Sequence, residues 1–160
     1  MPDVQKITTC LWFDGNAEEA AAFYCSLFDD SRIVEVQRYT EAGPGRPGDV
    51  VYLVFELAGQ QFSAINGGPQ FRFTEAISLM VACEDQAEVD RLWEALTADG
   101  GQESQCGWLK DRYGLSWQIV PRRLNELTGS DDPAVAARVT EAMLKMRKID
   151  LSVIEEAARG

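Results

Sequence analysis

The chain has 160 residues, a formal net charge of −11 and no histidine. That length suits one domain with its own apolar core. The 26 acids against 15 bases repel phosphate backbones and anionic bilayers, so neither nucleic acid nor membrane is an expected partner. The lack of histidine removes His-based triads, zinc fingers and His–carboxylate metal sites.

In chain order, "ITTCLWF" (Ile7–Phe13) predicts an apolar strand. "NAEEAAAFYCSLF" (Asn16–Phe28) predicts a helix. Ala20, Phe23, Tyr24 and Leu27 recur at helical spacing, and Asn16 stands at the N-cap. Three strands follow: "RIVEVQRY", "VVYLVFELA" and "QFSAIN". Then "AISLMVAC" (Ala76–Cys83) predicts a strand, and "QAEVDRLWEAL" (Gln86–Leu96) a helix capped by Asp85. "QESQCGWLKD" is expected to bend into two short strands, and "LSWQIV" forms a last one. The two helices superpose with Glu19 on Glu88, Phe23 on Leu92 and Leu27 on Leu96. Their flanks repeat as well, so each half reads β-α-β-β-β.

Neither half alone buries both its helix and its sheet. Two together predict an α+β fold, a curved mixed sheet of about eight strands with helices outside and a concave inner face. The modules fall at about residues 4–70 and 74–121, within a body of 1–125. A helical extension occupies 126–160, and the whole makes a single domain. In the extension, Asp132 and Pro133 start a helix whose Val135, Val139, Met143 and Met146 form one packing face, and a short helix follows Asp150.

Several motifs have plain readings. "GPGRPG" (Gly43–Gly48) matches a dinucleotide fingerprint, but a strand rather than a helix follows it, so it is a loop between strands. "NGGP" (Asn66–Pro69) is a turn, from which Asn66 could face a cavity. Asp111 in "KDRYG" shapes a turn. Cys106 lacks a histidine to activate it, and Lys110 shares its strand face if no bulge intervenes. Trp12, Trp108 and Trp117 either fill the core or line the concave face. Cys10, Cys25, Cys83 and Cys106 lie far apart without a CxxC pair. Neither a leader nor a run of about 18 apolar residues is evident. These features predict a reduced, cytoplasmic protein.

"LWFDGNAEEAAAFYCSLF", "INGGP", "QAEVDRLWEAL" and "CGWLKDRYGLSWQIVP" resemble, in that order, the PhnB-like branch of the vicinal oxygen chelate superfamily. This is the branch often labelled 3-demethylubiquinone-9 3-methyltransferase-like, and its superfamily includes glyoxalase I and the bleomycin resistance proteins. The resemblance implies two βαβββ modules forming a cup, and a homodimer. It places the positions that bind metal in other members at Thr8, Ser63, Ala76 and Gln118. Of these only Gln118 is a plausible ligand, and a weak one, whereas a stable divalent site wants several His, carboxylate or thiolate ligands, so no metal and no cofactor is expected. Strand alternation sets Thr8, Cys10, Trp12, Ser63, Ala76, Ser78 and Gln118 on the inner face as ligand-binding candidates. Two functions stay open. One is a metal-free pocket for a small organic ligand. The other is a metal-independent or weakly metal-dependent enzyme, in which Gln118, Ser63 and Thr8 orient a substrate and Cys106 or Asp111 acts on it.

Overall fold

Leu53, Phe55 and Leu57 are buried while Val54 and Glu56 are only half-buried, the mark of a strand with one face in a core. They belong to β3 (Val50–Leu57) in a computed structural model that describes residues 5–160. The chain divides into two units, one ending at Arg72 and the other starting at Phe73.

The first unit holds β1 (Thr9–Phe13), α1 (Ala17–Leu27), β2 (Arg32–Arg38), β3 and β4 (Gln60–Asn66). Its sheet runs β1-β4-β3-β2, with β1 parallel to β4 and the other pairs antiparallel. Leu11, Phe13, Leu53, Phe55, Phe62 and Ala64 are buried with Tyr24 and Leu27 of α1. The Tyr24 ring lies 6.5 Å from Phe55, and Phe55 stacks on Phe62 at 5.5 Å. Asn16 sits at the N-cap of α1, but its side chain makes no capping bond. Asn66 serves instead. Its Oδ1 accepts from the Ala17 N–H at 2.9 Å, and its amide donates to the Val50 carbonyl at 3.2 Å. The asparagine of the "NGGP" turn therefore ties helix, strand and loop together.

The second unit repeats this topology with β5 (Ser78–Cys83), α2 (Gln86–Thr97), β6 (Gln102–Glu103), β7 (Trp108–Lys110) and β8 (Ser116–Pro121), ordered β5-β8-β7-β6. The eight strands thus form two four-stranded sheets rather than one ladder of eight. On α2 the expected stripe of Val89, Leu92, Trp93 and Leu96 is buried throughout, and Asp85 caps the helix through the Glu88 N–H. These residues form a core with Leu109, Trp117 and Ile119 from one face of the sheet.

The tail begins earlier than its composition suggests. Arg122–Thr128 is already a helix, α3, where the sequence reads as polar loop. It is followed by α4 (Pro133–Leu144) and α5 (Leu151–Arg159), capped by Asp132 and Asp150. Leu124, Leu127, Val139, Ile149 and Ile154 bury themselves with Val120 of β8, and Val135, Met143 and Met146 pack alongside. Val120 alternates with the helix-facing Ile119, so the tail covers part of the sheet face turned away from α2. Gln86 fastens it further, donating to the Ile149 carbonyl and accepting from the Leu151 N–H.

Candidate functional site

In each unit one sheet face packs on its helix, and the other carries Cys10, Trp12 and Ser63 in the first unit and Ser78 and Gln118 in the second. In the first unit the β1–β4 register pairs Cys10 with Ser63 and Trp12 with Ile65. These residues alternate with Leu11, Phe13 and Ala64 of the core. Trp12 is half-buried. Its indole N–H donates to the Gly68 carbonyl at 2.9 Å, and its ring meets Phe71 edge-on at 4.8 Å. Gly67 makes this possible, since a Cβ there would stand 2.3 Å from the indole. Thr8 lies one residue before β1, and its hydroxyl donates to the Gln5 carbonyl.

In the second unit Met80 pairs with Gln118, and Ser78 with Ser116. The register corrects the internal repeat. If Ser63 corresponds to Gln118, then Cys10 corresponds to Met80 and Thr8 to Ser78. Ala76 has no strand position. It lies exposed in the turn before β5, its N–H bonded to the Thr74 hydroxyl. The strands and the helices repeat with spacings that differ by one residue, which aligning on helices and leucines conceals.

Gln118 projects away from α2, as its alternation with Trp117 and Ile119 requires, and its Nε2 donates to Ser78 Oγ at 2.9 Å. Its carbonyl oxygen accepts no hydrogen bond among the described residues. It forms the floor of a cleft of about 240 Å³ between this sheet face and the tail. Met80, Trp108, Val120, Leu124 and Met143 supply apolar walls. Cys106, Asn125, Thr128 and Thr140 supply polar atoms, and no lining residue carries a formal charge. Sequence reasoning missed the tail's contribution. The polar residues of α3 sit in a stretch that reads as loop, and Thr140 sits on a helix whose apolar stripe suggests packing alone.

The two catalytic candidates separate. Cys106 lines the cleft from the turn before β7, and Lys110, on β7, is not among the cleft's lining residues. Cys106 has φ 56° and lies outside β7. Lys110 pairs instead with Glu75, whose carboxyl is held below its ordinary value chiefly by that hydrogen bond. Asp111 is buried and does not line the cleft. Its Oδ1 accepts from the N–H groups of Tyr113 and Leu115 at 2.8 and 3.1 Å, and its Oδ2 from the Trp117 indole at 2.9 Å. Its role is to shape the turn and satisfy a buried indole.

The superfamily resemblance implies a divalent metal. The residues do not fit one. Thr8, Ser63 and Gln118 are neutral oxygen donors, Ala76 offers none, and the register replacement Ser78 is again a hydroxyl. Among the described residues no group of three or more His, Cys, Asp or Glu could hold a metal ion. Nor, among them, is any helix long and apolar enough to cross a membrane.

The family described as 3-demethylubiquinone-9 3-methyltransferase matches residues 5–120. A Bacillus cereus PhnB protein carrying the same label is 44% identical, with a TM-score of 0.68 over 73% of this chain and 99% of its own. A Staphylococcus aureus protein is 35% identical over 75% of this chain and 98% of its own, with a TM-score of 0.35. The Pseudomonas aeruginosa protein PA1353, at 19% identity and a TM-score of 0.60 over 74% of this chain and 98% of its own, shares the fold. No curated protein matches the sequence. The family match stops one residue short of the end of β8, so α3, α4 and α5 lie beyond it. Within residues 5–120 the chain belongs to the PhnB-like, 3-demethylubiquinone-9 3-methyltransferase-labelled family of the vicinal oxygen chelate superfamily.

Proposed function

We propose that this chain binds a small organic molecule, without a metal, in the cleft over Gln118. The observation that carries the reading is the Gln118 amide. One end is anchored on Ser78, and the other is an acceptor left open among apolar walls. That acceptor can take a ligand N–H or O–H, a hydrogen bond worth about 0.5–1.5 kcal/mol net. The cleft contains a thiol and no ionisable base, an inventory suited to holding a ligand rather than transforming it. A ligand-observed NMR screen of neutral fragments tests the reading. Hits should bind the wild type and be lost with Gln118→Leu, whose circular dichroism and melting should match the wild type. Hits that bind both equally would overturn it.

The same reading takes the protein to be a cytoplasmic homodimer. Four free thiols accord with a reducing compartment. Ile7 and Phe71 in the first unit, exposed at 83 and 66%, and Ile77 in the second, exposed at 66%, are large apolar side chains of the kind that another copy covers. Sedimentation equilibrium should give a dimer at micromolar concentration, and a clean monomer would contradict the proposal.

A further inference from the structure

The C-terminal extension lies outside the family match, yet it forms one wall of the cleft. We infer that this extension is the specificity element of the site, and that it selects a neutral ligand with a flat apolar body and both a hydrogen-bond donor and an acceptor. The inference rests on the binding role proposed for the cleft and goes beyond it in assigning residues and ligand class.

Charge comes first. Charged residues make up 26% of the chain, so two or three would be ordinary among ten lining residues, and the cleft has none. Two other clefts show the contrast. One in the first unit is lined by Glu18, Glu19, Arg38 and Asp49, and one at the β6–β7 edge by Glu75, Glu103 and Lys110. A ligand carrying a full charge would lose hydration in the Gln118 cleft and meet no counter-charge.

Shape and hydrogen bonding come next. Trp108 offers an aromatic wall, and the Met80 and Met143 side chains line the same cleft, surfaces that favour a flat or aromatic body. Gln118 Oε1 asks for a donor. Across the cleft, the Thr140 hydroxyl and the Asn125 amide make no side-chain hydrogen bond among the described residues and can donate to a ligand acceptor. A cavity of about 150 Å³ holds benzene, so this one, at about 240 Å³, holds roughly ten non-hydrogen atoms. That is smaller than a drug-sized ligand.

The extension is also held firmly enough to act as a fixed wall. The Cys106 and Gly107 N–H groups donate to the Met146 and Arg147 carbonyls at 2.8 and 2.7 Å. Gly107, at φ 85°, admits this approach, since a Cβ there would stand 3.1 Å from the Ile119 carbonyl and 3.2 Å from Ile149.

The test titrates the full ¹⁵N-labelled chain with three isosteric probes: benzamide, benzoate and benzamidinium. Benzamide should shift the Gln118 side-chain amide and the Trp108 and Thr140 backbone amides. Thr140→Val, nearly isosteric, and Asn125→Leu should each weaken benzamide by about tenfold, the loss of one hydrogen bond. Leu144→Ser, on the exposed side of α4, should bind as the wild type does. Benzoate and benzamidinium should bind at least about tenfold more weakly than benzamide, since each buries an unpaired charge. If Gln118→Leu abolishes benzamide binding while Thr140→Val and Asn125→Leu leave it unchanged, the role of the extension is overturned and the binding face stands. Equal loss with Leu144→Ser overturns direct contact by the extension. Charged probes bound as tightly as benzamide overturn the ligand class. Benzamide that leaves Gln118 unmoved overturns both this inference and the reading beneath it.

Discussion

The two βαβββ units share strand order and helix placement but complete their sheets differently. In the first, β2 and β3 have seven and eight residues and build a long hairpin from the unit's own chain. In the second, β6 and β7 have two and three residues, interrupted by the turn that takes Cys106 to φ 56°. The tail carbonyls of Met146 and Arg147 accept the N–H groups at that interruption. The first unit instead folds its Gly67–Phe71 segment against Trp12. A repeated topology therefore does not imply a repeated site. The unit with the shorter strands recruits an added segment, and that segment walls a cleft over its inner face.

This contrast can be broken or sharpened by mutation. The largest effect is expected at Asp111, whose buried carboxylate accepts three hydrogen bonds. Asp111→Ala would strand the Trp117 indole N–H and unpin the β7–β8 turn, at a cost of about 3–5 kcal/mol in urea unfolding. A loss below about 1 kcal/mol would show that the second sheet does not depend on that turn. Next comes the tail. Ile149 is fully buried, and Ile149→Ala should cost about 3 kcal/mol. A negligible change in melting would mean that the tail is not part of the folded unit.

A pH-dependent difference follows at Cys83, whose counterpart in the first unit is Phe13. Burial, ahead of Glu88, pushes the Cys83 thiol from 9.0 up to about 12. A group raised in the folded state contributes stability that is fully present below the unfolded value and lost as pH climbs towards the folded one. The window therefore runs from about pH 9 to 12. Wild type should lose up to about 1.4 kcal/mol per pH unit there, relative to Cys83→Ala. Parallel stability curves for the two proteins would contradict this. The smallest effect is expected in the first unit. Asn66→Ala removes the α1 cap and the bond to Val50, at about 1–2 kcal/mol. A loss as large as at Asp111 would erase the asymmetry between the units.

Much of the fold was legible because it follows local periodicity. The α2 stripe, the Asp85 and Asp132 caps and the alternation that turns Gln118 away from Trp117 all depend on neighbours within a few residues. What escaped depends on distant partners. Asn16 has the right residue type for a cap, but Asn66 fills that role from 50 positions on. Ala76 looked like a strand residue by analogy with Thr8, and only the register of β5 on β8 excludes it. Helix α3 escaped because a polar, Asn-containing segment after a proline reads as loop, while Leu124 and Leu127 find their core only against α4 and α5. The inner-face residues were thus readable one strand at a time, and the cleft that unites Gln118 with Asn125 and Thr140 was not.

The most direct test of the central claim is a crystal structure of the full chain soaked in benzamide, at a resolution that orients the amide. The account predicts the ring against Trp108, with its N–H on Gln118 Oε1 and its carbonyl facing Thr140. Benzamide beside Trp12 and Ser63, or in one of the charged clefts, with only water over Gln118, would contradict it.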